Sequence, residues 1–211
     1  LSAMEKAVEN LEIDGIELDV RSTRDGELVV FHDKDLSRVT RGRNKERINE
    51  VNLRELKEIR IRGEEIPTLS EALKVLRRRN FWLKLDVKVF NEGVIEEVYS
   101  SGYRGKVLIH LSKEMGEERL KEFASYLMKR SGENMLIEIP SEFEGKISNV
   151  QAICYDLYRE EDVPERVSEK FLDFYIGRIG YGLVSRIFSR IARFNPSFLT
   201  PNYKLDYFKV K

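Results

Sequence analysis

The sequence is poor in several features, and each scarcity narrows the classes of protein to which it can belong. It has one cysteine, Cys154, so it cannot form an internal disulfide, which fits a reducing cytoplasm. It has no long apolar run, which excludes a helix that spans a membrane. It has no net charge, because 37 basic residues balance 37 acidic ones, so no overall field attracts nucleic acid or an acidic membrane surface.

Glutamine is also scarce, since Gln151 is the only one, whereas 35% of the residues are charged. A high charged fraction with few labile amides is typical of thermophile proteins, in which ion-pair networks contribute more to stability. A chain of 211 residues has the length of one ordinary domain with a sizeable core. We therefore expect a single domain over residues 1–211.

The most informative stretch is Gly15–Val20, in which apolar residues alternate with the acids Glu17 and Asp19. A period of two predicts a strand that carries both carboxylates on one face, with side chains rooted about 6–7 Å apart. Two acids on one face repel each other and are costly to desolvate unless a positive charge lies near them. A hard divalent cation, which prefers carboxylate oxygens, would meet that need.

The residues that follow this strand predict a hairpin. Thr23–Gly26 contains the Asp-Gly turn signature, so the chain should reverse and return as Leu28–Phe31. That return would bring His32 near the carboxylates. We expect Asp33, the next residue, to hold the loop backbone. A pair of metal-binding acids beside a histidine that exchanges protons near neutral pH is a hydrolytic arrangement.

These motifs resemble those of the glycerophosphodiester phosphodiesterases. The resemblance is carried by Gly15–Val20, Thr23–Gly26, Val29–Asp33, Ile66–Leu69 and Glu71–Leu73, and Leu1–Ala7 is similar to the first barrel helix of that family. Several motifs occur in the right order and spacing over residues 1–90. Beyond residue 90 the resemblance is mostly architectural.

A second strand, Phe81–Lys88, resembles the family's strand with a Glu-x-Lys motif, with Asp86 in place of the acid and Lys88 in place of the lysine. The resemblance implies that Glu17, Asp19 and Asp86 bind one divalent metal ion, Mg²⁺ or Ca²⁺. It also implies that Lys88 binds the substrate phosphate and that His32 is a catalytic acid/base. The alternative interpretation of Asp86 and Lys88 is an interstrand ion pair.

The rest of the chain alternates strands and helices as βα units do. The predicted strands are Val107–His110, Met135–Ile139, Ala152–Tyr155, Leu172–Ile176 and Ser197–Leu199, and the predicted helices are Glu92–Tyr99, Glu117–Lys129, Glu161–Lys170 and Leu183–Phe194. With one more strand before Leu1, the count reaches the eight parallel strands of a TIM (β/α)₈ barrel, so the first strand is absent from the given chain. The family's first strand carries a His-Arg-Gly motif, and we expect it to precede Leu1. Residues 33–66 are expected to form a small insertion after the second barrel strand.

Several residues remain open between two interpretations. The basic residues Arg38, Arg41, Arg43 and Arg47 either form a solvated face or assist anionic substrates. His110 either contacts substrate or replaces the histidine expected before Leu1, or it is a hydrogen-bonded supporting residue. Glu138 either lines the active site or pairs inside the barrel. Tyr175–Tyr181 lacks the Trp-Thr-Val-Asn pattern of the family, and Cys154 is expected to be a small core residue.

The function implied by the resemblance is metal-dependent hydrolysis of glycerophosphodiesters to glycerol phosphate and an alcohol, in glycerol and lipid metabolism. Two alternatives remain: a catalytically silent barrel that binds a phosphodiester or a metal, and a related phospholipase-type barrel that acts on lipid headgroups. The expected partner is a small-molecule substrate. No nucleic-acid partner and no stable membrane insertion are expected.

Overall fold

The protein is described by a computed structural model that covers residues 1–10, 14–157, 159–165, 171–176, 190 and 198–201. The chain folds into two compact units, Leu1–Ile137 and Glu138–Lys211. The elements of the first unit, in chain order, are α1 (Ser2–Glu9), β1 (Gly15–Ser22), β2 (Leu28–Val30), α2 (Leu53–Lys57), β3 (Arg60–Ile61), β4 (Glu64–Glu65), α3 (Leu69–Leu76), β5 (Trp82–Val87), α4 (Gly93–Ser100), β6 (Val107–Leu111) and α5 (Glu117–Met128). A further strand, β7 (Met135–Pro140), begins in this unit and ends in the second.

A mainly parallel sheet forms the centre of the first unit, with the strand order β2-β1-β5-β6. β1 is parallel to β5, and β5 is parallel to β6, because helices return the chain between successive strands. β2 is antiparallel to β1, as the Asp-Gly hairpin predicts. At the turn, the N–H of Gly26 donates to the carbonyl oxygen of Thr23 at 3.1 Å, and Gly26 has a φ of 87°, which favours glycine.

Two helices of this unit, α2 and α3, begin at the capping boxes that the patterns Asn52–Glu55 and Thr68–Glu71 predict. Thr68 caps α3: its hydroxyl accepts from the N–H of Glu71 at 3.1 Å, while the Glu71 carboxylate accepts from the N–H of Thr68 at 2.8 Å. The face of α3 that carries Leu69, Ala72, Leu73 and Leu76 is fully buried. The second capping box, Asn52 with Glu55, starts α2. The sequence pattern predicts that this helix ends near Ile59, whereas it ends at Lys57.

The segment between β2 and α3, residues 33–66, has a hydrophobic core of its own. Leu36, Ile48, Val51, Leu56 and Ile66 are buried and pack with Val29 and Phe31 of the β2 region. The short hairpin of β3 and β4 was not predicted, since two residues per strand carry no detectable alternation. We call this segment the excursion.

The second unit contains the end of β7, β8 (Ala152–Leu157), β9 (Phe171–Ile176) and β10 (Phe198–Pro201), each parallel to its neighbour in that order. All the strands predicted here are present with slightly different bounds. The helix predicted over Glu161–Lys170 is wrong at its start: Glu160–Asp162 is a single 3₁₀ turn that residues 163–165 do not continue. Residues 166–170 lie outside the described residues, as do most of the predicted helix Leu183–Phe194 and residues 177–181.

Buried apolar side chains dominate β5, β6, β7 and β8. Cys154 is 3% exposed and is a core residue, as predicted. Within the described part of the chain, no helix combines the length and the apolar character that crossing a bilayer requires.

Candidate active site

The register between β1 and β5 brings two predicted metal ligands side by side. Asp19 on β1 lies opposite Asp86 on β5, and Glu17 lies opposite Lys84. In a parallel pair, residues in register point to the same face of the sheet. Asp19 and Asp86 are half-buried, whereas Glu17 is exposed and lies two residues before Asp19 on the same face. The predicted acids therefore share one face of two neighbouring strands.

Lys88 bridges the two aspartates. Its Nζ lies 3.1 Å from Oδ1 of Asp19 and also donates a hydrogen bond to Oδ2 of Asp86. The ion pair that the sequence offered as an alternative is thus present. It uses only part of the carboxylate capacity, because Oδ1 of Asp86 is buried and has no hydrogen-bond partner among the described residues. Burying a carboxylate oxygen without a hydrogen-bond donor costs free energy, and a bound cation would offset that cost.

The charges around Asp86 outweigh the cost of burying it. Burial alone raises the pKa of the Asp86 carboxyl, but His110, Lys88 and Lys84 lower it below its ordinary value. For Lys88, burial lowers the pKa of the ammonium group, and Asp86 and Asp19 raise it above its ordinary value. Asp86 is therefore an anion and Lys88 a cation at neutral pH.

His110 stands next to this pair. It lies opposite Asp86 across the β5–β6 register, and its charge is the largest of the influences that lower the pKa of Asp86. Its position is compatible both with contact to the substrate and with a hydrogen-bonded supporting role, the two interpretations that the sequence left open. Glu138 lies on β7 in the second unit and is fully buried, and its proposed part in the active site stays a prediction.

The backbone of His32 is anchored beside the carboxylates. The N–H of Phe31 donates to the carbonyl oxygen of Asp19 at 2.9 Å. The guanidinium of Arg21 donates to the carbonyl oxygen of His32 at 2.9 and 3.1 Å. The imidazole itself is 71% exposed, and its Nδ1 lies 2.7 Å from Oδ1 of Asp33. The hairpin thus delivers His32 to the end of β1, as predicted, with an open side chain.

The sequence of the first unit matches that of a known enzyme family. The model of the glycerophosphoryl diester phosphodiesterase family matches residues 1–137, the same residues that form the first compact unit. This chain belongs to the glycerophosphoryl diester phosphodiesterase family. All five predicted site residues lie in the matched segment.

Relatives and solved structures agree with this membership. A glycerophosphodiester phosphodiesterase of Caldanaerobacter subterraneus subsp. tengcongensis is 29% identical over 142 residues, which cover 60% of this chain and 57% of that protein. A glycerophosphodiester phosphodiesterase structure from Agrobacterium tumefaciens superposes with a TM-score of 0.67 at 17% identity, covering 95% of this chain and 88% of that one. An Oleispira antarctica phosphodiesterase in complex with the product sn-glycerol-3-phosphate superposes with a TM-score of 0.64 at 19% identity, covering 96% and 86%.

The fold shared with these phosphodiesterases is the TIM barrel, as predicted. In TIM barrels the chemistry lies at the C-terminal ends of the strands. Asp19, Asp86 and Lys88 of this family member lie at or just beyond the C-terminal halves of β1 and β5. The candidate site therefore stands where the fold places active sites.

Two parts of this candidate site were missed or misassigned from the sequence. Arg21 continues the alternation of Glu17 and Asp19 and is buried, with its guanidinium 3.2 Å from the Glu114 carboxylate. The alternation of polar residues at positions 17, 19 and 21 was a signal that could have identified Arg21 as a site residue. The expectation that Asp33 holds loop backbone is wrong, because its carboxylate binds the side chains of His32 and Arg38 instead.

Proposed function

We propose that this chain hydrolyses glycerophosphodiesters to glycerol phosphate and an alcohol, with the help of one divalent cation. The observation that carries the proposal is the register of Asp19 with Asp86 beside the anchored His32, inside the segment that matches the family. The curated relative is named for this activity, and the chain spans a little over half of its length. The proposal therefore rests on the residues of this chain and not on the activity of the relative.

The residues present fit a divalent cation. Glu17, Asp19 and Asp86 would hold it, since they offer carboxylate oxygens from two neighbouring strands. Asp86 also keeps a buried oxygen to which none of the described residues donates. Mg²⁺ or Ca²⁺, when bound, would polarise a phosphate oxygen and a substrate hydroxyl. The ligand set is all oxygen, which suits either ion.

Lys88 supplies positive charge for the substrate phosphate. Because Asp86 and Asp19 raise the pKa of Lys88, its ammonium group stays protonated at neutral pH. It lies at the end of β5 with only 12% of its side chain exposed, so its charge acts in surroundings of reduced dielectric. We propose that it hydrogen-bonds a phosphate oxygen of the substrate.

His32 would move a proton between the reacting oxygens. Histidine is the side chain that ordinarily exchanges protons near neutral pH. Its carbonyl oxygen is held by Arg21, and its Nδ1 contacts the Asp33 carboxylate, so the opposite nitrogen, Nε2, is turned away from that partner. Asp33 is itself held ionised: burial raises the pKa of its carboxyl, but hydrogen bonds from Arg38 and His32 lower it below the ordinary value.

The test is a turnover assay on glycerophosphocholine and glycerophosphoethanolamine with Mg²⁺, with Ca²⁺ and with a chelator. We expect release of glycerol phosphate that needs a divalent ion. His32→Ala should reduce kcat about 10²–10⁴-fold, the usual effect of one acid/base group. Asp86→Asn should remove most activity, whereas Asp14→Asn should not, because Asp14 is exposed just before β1. Wild-type turnover by His32→Ala, or full activity in the chelator, would refute the assignment.

A second function is favoured by the ion pairs of Lys88. Since Lys88 already satisfies parts of Asp19 and Asp86, the chain could be a silent barrel that binds a phosphodiester without hydrolysing it. Binding of glycerophosphocholine in calorimetry, with no glycerol phosphate released under any metal condition, would support this second function over the first.

A further inference from the structure

The excursion contains a cavity that the proposed chemistry does not use. It has a volume of about 620 Å³, which is within the range of small-molecule sites. Among the described residues, five arginines line it and no acidic residue does. The arginines are Arg38, Arg41, Arg43, Arg60 and Arg62. We call this the arginine cavity.

The arginine cavity is mounted on a packed scaffold. Val39 and Ile61, which also line it, pack against the buried hydrophobic cluster of the excursion. The cluster includes Leu36 and Leu56, both of which are 0% exposed. The backbones of the two arginine-bearing segments are therefore held against one core, while the arginine side chains themselves are exposed to solvent.

Two of the arginines occupy backbone conformations that arginine disfavours. Arg41 has a φ of 55° and Arg62 a φ of 53°, and each is followed by a glycine that also has a positive φ. Glycine and asparagine adopt this left-handed region more readily than residues with long side chains. Local backbone preference thus does not account for arginine at either position, whereas a need for positive charge does.

The positive charge of the cavity is only partly neutralised within the protein. The Nε of Arg38 is 2.6 Å from Asp33, and the guanidinium of Arg60 is 2.7 Å from Glu65. Arg41, Arg43 and Arg62 have no acidic partner among the residues that the structure describes. Three unneutralised guanidiniums around one cavity favour a ligand with more than one negative charge, and guanidinium geometry suits phosphate oxygens.

The cavity adjoins the proposed catalytic histidine through one carboxylate. Asp33 contacts Arg38 with Oδ2 and His32 with Oδ1, at 2.6 and 2.7 Å. A group bound beside Arg38 would therefore be separated by one carboxylate from His32, the residue proposed to pass a proton to the departing alcohol. Resting on the proposed function, we infer that the arginine cavity binds the alcohol portion of the substrate, and that the preferred alcohol carries a phosphomonoester.

The test compares two substrates that differ by one group, glycerophosphoinositol and glycerophosphoinositol 4-phosphate. We expect the wild-type protein to prefer the phosphorylated substrate by about tenfold or more in kcat/KM, as charge-assisted hydrogen bonds at a partly exposed site would provide. The double variant Arg41→Asn, Arg62→Asn should lose most of that preference. Asparagine tolerates the left-handed backbone, so this variant removes charge without adding strain.

The control is Arg54→Gln, which removes one charge from an exposed position on α2 in the same excursion. It should keep the wild-type preference, whereas Arg43→Gln should reduce it. Inorganic pyrophosphate tests whether the cavity binds a free anion or a group of the substrate. It should compete with the phosphorylated substrate in the wild-type protein and lose affinity in the double variant.

The outcomes distinguish this inference from the proposed function. If both substrates are hydrolysed equally, or the double variant keeps the preference, the inference is overturned and the proposed function stands. If pyrophosphate binds the cavity but the two substrates are hydrolysed equally, the cavity takes a free anion and the substrate assignment is wrong. If no glycerophosphodiester is hydrolysed, the proposed function fails and the inference fails with it.

Discussion

Replacing Lys88 with methionine should make the fold depend on a divalent cation. Lys88 is the cation that separates Asp19 and Asp86, and methionine retains most of its length and apolar stem without the charge. In the variant, two carboxylates in register on neighbouring strands would face each other with no positive charge between them. We expect Lys88→Met to be destabilised in a chelator and to be rescued by Mg²⁺ or Ca²⁺.

The magnitude follows from the distances and the exposure. One ion pair at 3.1 Å is worth about 5 kcal/mol in gross Coulomb energy at an effective dielectric constant of about 20. The cost of desolvating the charges cancels part of this energy, and removal of one partner from a buried pair typically costs about 3–5 kcal/mol net. Asp19 is 24% exposed, so water relieves part of the repulsion. We therefore expect a loss of about 2–4 kcal/mol in the free energy of unfolding.

The assay is urea unfolding at pH 7 with EDTA and then with each divalent ion. A cation at a concentration of about one hundred times its Kd should restore about 2.7 kcal/mol, because it binds only the folded state. The control is Lys121→Met. Lys121 also contacts two carboxylates, Glu117 and Glu118, but on the exposed surface of α5, so its loss should cost less than about 1 kcal/mol and show no rescue.

Two results would refute the reasoning. Equal stability of Lys88→Met and the wild-type protein in EDTA would mean that the two aspartates do not need a cation. A loss of stability without any recovery on adding Mg²⁺ or Ca²⁺ would mean that the carboxylates do not form a metal site.

The pH dependence of the wild-type protein's stability is a further check. Because the pKa of Asp86 is lowered in the folded state, its contribution should be complete above its ordinary value of 3.8 and be lost as the pH falls below it.

Three further predictions concern other parts of the first unit. Burial, and then the charge of Glu27, raise the pKa of Glu97 to about 7. The contribution of this group to the free energy of unfolding is therefore complete below its ordinary pKa of 4.5, and it is lost as the pH rises through 7. Glu97→Gln should therefore stabilise the protein by about 1–3 kcal/mol at pH 8 but not at pH 4. Glu96→Gln, at an exposed position, should change the stability little. Equal effects of Glu97→Gln at both pH values in thermal unfolding would contradict this. Arg62→Asn should raise the free energy of unfolding by about 0.5–1 kcal/mol in urea titrations because it relieves a left-handed arginine, and a loss of stability would show that the arginine is not strained. Leu56→Ala should cost about 2–5 kcal/mol in the same titrations because Leu56 is fully buried in the excursion, and a cost below 1 kcal/mol would mean that the excursion is not integral to the fold.

Local sequence patterns were sufficient for much of the fold and part of the site. The alternation of Gly15–Val20 predicted β1 and put Glu17 and Asp19 on one face. The Asp-Gly turn predicted the hairpin that returns the chain to His32, and the Thr68 capping box predicted the start of α3. Each of these features depends on residues within a few positions of one another, so composition and spacing are enough to identify it.

Contacts between distant segments were decided only in three dimensions. Lys88 lies between Asp19 and Asp86 because β1 and β5 pair in one particular register, and a shift of one residue would turn one of the aspartates to the other face. The arginine cavity likewise depends on packing, since two short loops that are about twenty residues apart rest on one hydrophobic cluster. The sequence by itself determined the family, most of the strands and the candidate acids through local periodicity and motif spacing. The tertiary structure alone decided which charges meet, because strand register and side-chain packing are set by the whole core.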